Sequence, residues 1–195
     1  FAPYISELLR VEPDIVVNGQ WGLDLVTFVK QADQQDFFDK TQFMNFDAGG
    51  NFEILAELGN DMPLGLVLSA RHHVNWPETE RNRRFVDAFR EEAGRYPSYA
   101  AQGAYAGIIA IAEAVRQSGG IDNKSMIRSR LEELILELPE DPEGFRSFMD
   151  AKSHQIMQVQ AIGTTVFNNR FAPATVTLGE WRVYYPEGWD DRTVE

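Results

Sequence analysis

Residues 14–18, 23–34, 41–45, 51–58 and 64–70 alternate short β-branched runs with amphipathic helical spacing. The run 14–18 is too short for a helix and is bounded by Pro13 and Gly19. Leu25, Val26, Phe28, Val29 and Ala32 fall on one face of the helix that follows. Asn51 is placed to cap the next helix, which runs through Leu58. Strand, helix, strand, helix, strand predicts a parallel sheet with crossover helices, preceded by a short helix over 3–10.

The pattern then changes. Residues 77–94 read as a helix that starts acidic and becomes basic, with Pro77 in its first turn. Residues 100–119 form the most apolar stretch; its small residues suggest a helix packed on several sides, ended by Gly119 and Gly120. A third amphipathic helix is expected over 124–138. No strand separates these three helices, which marks a second structural unit beginning near Ala70. β character returns over 158–168 and 175–185, joined by a Pro-containing turn.

Composition removes several classes of function. There are 18 basic and 30 acidic residues, a formal net charge of −12, so no nucleic-acid or anionic-membrane partner is expected. With no cysteine, thiolate metal sites, disulfides and cysteine nucleophiles are excluded. No apolar run approaches the roughly 18 residues that a membrane-spanning helix needs. The chain opens at Phe1 without an initiator Met or leader pattern and reads as a processed product or a fragment.

Ligands of open α/β sheets bind beyond the carboxyl ends of the strands. Two Gly-containing loops occupy such positions. One is Asn18-Gly19-Gln20-Trp21-Gly22, the other Asn45-Phe46-Asp47-Ala48-Gly49-Gly50-Asn51. A carboxylate at Asp47 beside an aromatic wall at Trp21 suits an ammonium group, through a charge-assisted hydrogen bond and cation–π attraction. The competing assignment makes Trp21 a packing residue and Asp47 a local turn former. His72 and His73 are adjacent on an extended segment and so point to opposite sides, a poor chelating pair; a surface or hinge role is expected. Arg81, Arg83 and Arg84 read as a solvated helix face. Glu140 and Asp141 lie in a Pro-rich stretch and give little support for a catalytic dyad. No nucleophile elbow, phosphate loop or dinucleotide fingerprint occurs, so no catalytic residue, metal or cofactor is expected.

The order and spacing of several pieces resemble the later half of type I periplasmic-type solute-binding proteins, in the branched-chain amino acid (Leu/Ile/Val) receptor family of ABC importers. They include Phe1-Ala2-Pro3-Tyr4-Ile5, Pro13-Asp14-Ile15-Val16-Val17, Gly19-Gln20-Trp21-Gly22, Phe85-Val86-Asp87-Ala88-Phe89, Tyr96-Pro97-Ser98-Tyr99 and Ala151-Lys152-Ser153-His154-Gln155. The resemblance implies an incomplete two-lobed α/β fold: 1–70 in the second lobe, 71–155 in the first, and 156–195 returning to the second. It implies a non-catalytic periplasmic or extracellular receptor, lipid-anchored through an upstream segment, that captures an amino acid or related metabolite for a membrane permease. A ligand-sensing regulatory domain of the same fold is the alternative.

The family's ligand-facing aromatic corresponds to Trp21, and the carboxylate that holds the α-ammonium group corresponds to Asp47. Gln102 falls about where another wall residue lies. Trp stands where the Leu/Ile/Val receptors have Tyr, and Asp where they have Glu, which puts branched-chain specificity in doubt. The hinge is expected near 70–73. Ile108, Ile109 and Ile111 are expected to be exposed where the rest of the first lobe would pack, which implies self-association of the chain.

Overall fold

The computed structural model describes residues 1–187. The chain divides into two compact units. The first comprises Phe1–Asn75 and Ala161–Val183; the second comprises Trp76–Gln160 and resumes at Tyr184.

In the first unit, α1 (Ala2–Val11) precedes β1 (Ile15–Asn18), α2 (Gly22–Asp33), the single turn α3 (Phe37–Lys40) and β2 (Gln42–Asn45). Then come α4 (Phe52–Leu58) and β3 (Val67–Ala70). β1, β2 and β3 run parallel, with Ile15 opposite Gln42 and Met44 opposite Val67. This is the α/β sheet with crossover helices that the alternating pattern predicts. Its buried face is aromatic: the Phe28 ring of α2 stacks on Phe43 at 5.6 Å and meets Phe37 edge-on at 5.9 Å. Such pairs add to the area they bury. The opposite face of β1 is bare, with Ile15 and Val17 exposed.

Further along the chain, β7 (Gln160–Phe167) and β8 (Val176–Tyr184) extend the sheet to the order β1-β2-β3-β7-β8. β7 pairs antiparallel with β3, Ala161 lying opposite Ala70. The Thr165 hydroxyl donates to the carbonyl of Pro63 and accepts from the Leu66 amide, tying the returning strand to the entry of β3.

The second unit holds α5 (Glu80–Ala93), α6 (Tyr99–Gln117) and α7 (Lys124–Glu132), followed by β4 (Ile135–Leu136), β5 (Ser147–Asp150) and β6 (Gln155–Met157). The three strands form a small antiparallel sheet. Its core gathers Ala106, Ala110, Leu134, Leu136 and Leu138.

Five expectations from sequence need correction. Asn51 precedes α4, but its side chain makes no capping bond. Pro77 lies outside α5, whose cap is Thr79: its hydroxyl accepts from the Asn82 amide. The helix over 124–138 stops at Glu132, because Leu134, Leu136 and Leu138 alternate into the core as an extended segment does. α6 is not packed on several sides: Ile108 and Ile111 are 67% and 55% exposed, and space is open around Gly103 and Gly107. Ile109 does not share that exposed strip, since it packs on the core cluster.

Candidate ligand site

β1 and β2 end on asparagines that are register partners, Asn18 and Asn45. Asn45 is fully buried, and its amide satisfies every hydrogen-bonding position it has. Its Nδ2 donates to Asn18 Oδ1 at 2.9 Å and to the Gln20 carbonyl at 2.8 Å. Its Oδ1 accepts from the amides of Asp47 at 2.9 Å and Ala48 at 2.8 Å. Asn18 Oδ1 also accepts from the Gln20 amide at 2.8 Å. The two loops at the strand ends are thereby fastened to each other at buried polar atoms, where a missing partner would be costly.

Each candidate side chain leaves this fastened base. Trp21 precedes α2 in extended backbone (φ −144°, ψ 167°) and is 67% exposed. Gly22 follows at φ 59°, the left-handed region that favours glycine, and turns the chain into α2. Asp47 is half-buried and stands before the short turn Ala48–Gly50 without capping it. Among the described residues its carboxylate takes no side-chain bond or ion pair. The assignment of Asp47 as a local turn former is therefore not what its side chain does here.

Sequence reasoning passed over Phe46. It is 58% exposed, its carbonyl accepts from Ser69 Oγ at 2.9 Å, and its ring lies over Gly19. Asn45 was passed over as well, because an asparagine at a strand end is also an ordinary turn former.

A surface or hinge role was expected for His72 and His73; neither is a surface residue, since both are buried. The ring nitrogens of His73 lie 3.0 Å from the Gly49 carbonyl and 3.1 Å from that of Ala70. Its ring meets Trp181 at 4.6 Å. Burial, and then the neighbouring His72, press its pKa down to about 4, so it is neutral near pH 7. His73 thus fixes the end of β3 against the loop after β2, with Gly49 in close contact.

Gln102, the third candidate, lies in the second unit and is buried in α6. Its amide donates to Glu140 Oε1, as does that of Gln158. Glu140 Oε2 has no partner among the described residues. Burial foremost, with the charge of Asp141 adding, pushes the Glu140 carboxyl up to about 8. Asp141 is raised by burial too, although Ser147 Oγ and the amides of Leu138 and Ser147 donate to it. The acidic pair therefore belongs to the interior. A cleft of about 620 Å³ also lies in the second unit. Arg81, Arg83, Arg84 and Arg146 line it together with Glu78, Glu80, Glu137 and Glu143, a balanced set that favours neither sign of ligand.

Comparison with known proteins places this architecture. A family model described as periplasmic binding protein matches residues 1–168. A Leu/Ile/Val-binding protein homolog of Brucella melitensis biotype 1 is 26% identical over 155 residues, covering 75% of this chain and 35% of that protein. Among solved structures, an amino acid ABC transporter substrate-binding protein from Pseudomonas fluorescens Pf-5 matches with a TM-score of 0.78 at 18% identity. That match covers 96% of this chain and 49% of the other. A solute-binding protein of an ABC transporter from Rhodopseudomonas palustris BisB5, in complex with 3,4-dihydroxybenzoic acid, matches with a TM-score of 0.77 at 20% identity, covering 95% and 48%. At these identities the structural matches establish the fold. The chain spans about half the length of these solved relatives and about a third of the curated one. With the type I fold that the solved structures share, the match over 1–168 means that this chain belongs to the periplasmic binding protein family.

Proposed function

We propose that the chain is the ligand-binding part of a non-catalytic ABC-importer receptor, periplasmic or extracellular, which takes up an amino acid or similar small polar metabolite and delivers it to a membrane permease. The observation that carries this reading is a half-buried carboxylate at Asp47 with no side-chain partner among the described residues, on a loop fastened by Asn45 to the loop that presents Trp21. Asp47 would accept the hydrogen bonds of the ligand's ammonium group, and Trp21 would wall it. Desolvation of that pair on closure, with motion absorbed near 70–73, would supply affinity. Gln102 has less support as a ligand contact, because its amide already serves Glu140.

Calorimetric titration of the full-length gene product with the standard amino acids, their amides and amine-free carboxylic acids tests the reading. Binding of an α-amino compound that weakens at least tenfold in Asp47→Ala is expected, the loss of one charge-assisted bond. Binding of amine-free acids only, unaffected by Asp47→Ala, would overturn the role given to Asp47. No binding by any of these compounds would overturn the receptor assignment for this ligand class.

A further inference from the structure

Resting on the reading that Asp47 takes an ammonium group, we infer that Phe46 determines ligand specificity at the same site and selects an amino acid with an aromatic ring over one with a branched aliphatic chain. Phe46 is 58% exposed, while Asn45 before it and Ala48 just beyond Asp47 are buried. Its exposure is not that of a loose loop tip. The main chain is fixed from both sides: Ser69 Oγ donates to the Phe46 carbonyl, and Asn45 Oδ1 accepts from the next amide. The ring rests on the neighbouring loop, where a Cβ built on Gly19 would lie 2.9 Å from the Phe46 Cζ and 3.0 Å from its Cε1. Only glycine at position 19 leaves the ring where it is.

Phe46 and Trp21 are thus two exposed aromatic side chains on loops bonded to each other through Asn18, Gln20 and Asn45. The acid that follows Phe46 in the chain is Asp47. Neither loop carries a lysine or arginine over 18–24 or 45–51. Ring faces and a carboxylate recognise a planar π system bearing a cationic amine, since the faces attract both aromatic edges and cations. A branched aliphatic side chain would gain burial from the same surface, but no quadrupole interaction. The discrimination from one ring is roughly tenfold.

The test is titration of the full-length gene product with phenylalanine, tyrosine, leucine, valine and 3,4-dihydroxybenzoate, in wild type and in Phe46→Ala, Phe46→Leu, Gly19→Ala and Asp47→Asn. Phenylalanine or tyrosine should bind at least tenfold tighter than leucine or valine in wild type. Phe46→Leu, which keeps an apolar surface, should remove roughly tenfold of that preference, and Phe46→Ala should remove as much while also weakening leucine, which loses the surface it is buried against. Gly19→Ala, which keeps the ring but displaces it, should reduce the preference in the same direction.

Aliphatic ligands binding as tightly as aromatic ones in wild type would overturn the inference alone. So would a preference unchanged in both Phe46 variants, provided that Asp47→Asn still weakens amino acid binding. Amino acid binding indifferent to Asp47→Asn, or binding of the benzoate alone, would overturn the underlying reading and this inference with it.

Discussion

Asn45 carries the site although no ligand contact is assigned to it. Removing its amide strands the Gln20 carbonyl and the amides of Asp47 and Ala48, and takes one of two donors from Asn18 Oδ1, all bonded by Asn45 from a fully buried position. Asn45→Ala should cost about 2–4 kcal/mol of stability, measured by chemical denaturation, and should weaken ligand binding even where the chain remains folded. Asn45→Asp keeps the two acceptor bonds and loses the two donor bonds, so it should destabilise through Gln20 and Asn18 while sparing the turn after Asp47. Equal stability of Asn45→Ala and wild type would mean that the strand ends hold together without it. At this scale the sequence could name Trp21 and Asp47 as candidates, since an aromatic and an acid follow two strand ends in Gly-containing loops. Asn45 and Phe46 were not legible: their roles are bonds and contacts across loops more than 20 residues apart in sequence, which no local pattern encodes.

Among the elements, β1, β2 and β3 were legible although each has only four residues, because helices of clear period separate them; the single turn α3 was not. The three-stranded sheet of the second unit was not, because no helix separates its strands of two to four residues and their own alternation is too short to stand out. α6 shows what small residues conceal. Ala106, Ala110 and Ala114 are buried on one side, while Tyr105, Ile108 and Ile111 are exposed on the other, a strip at helical spacing. An apolar strip of this kind favours contact between molecules, and self-association of the 195-residue chain is the expected consequence. Light scattering should show oligomers growing with concentration, and the double variant Ile108→Lys, Ile111→Glu should return the chain to a monomer. A wild-type monomer at high concentration would leave the strip without that role.

For the whole molecule, the two units carry buried titratable groups whose shifts have opposite consequences. In the first unit His73 is held neutral, its pKa pressed to about 4 from 6.5, with the Gly49 and Ala70 carbonyls, His72 and Trp181 around it. The unfolded chain binds a proton there below about 6.5 and the native chain does not, so stability from this site is present above 6.5 and lost as pH falls towards 4. In the second unit Glu140 is held protonated up to about 8 from 4.5, facing Gln102, Gln158 and Asp141. The native chain there keeps a proton that the unfolded chain releases. Stability is therefore fullest below 4.5, declines as pH rises, and levels off above about 8.

Hydrogen exchange read by peptide between pH 4.5 and 9 should show protection in 1–75 weakening on the acid side and protection in 99–160 weakening on the alkaline side. Glu140→Gln replaces the protonated acid by a neutral isostere and should flatten only the second trend, raising stability at pH 8 by about 1–3 kcal/mol and leaving it unchanged at pH 4.5. A Glu140→Gln chain with the same alkaline decline as wild type would mean that Glu140 ionises freely in the native state, and that its buried setting beside Gln102 does not hold the proton.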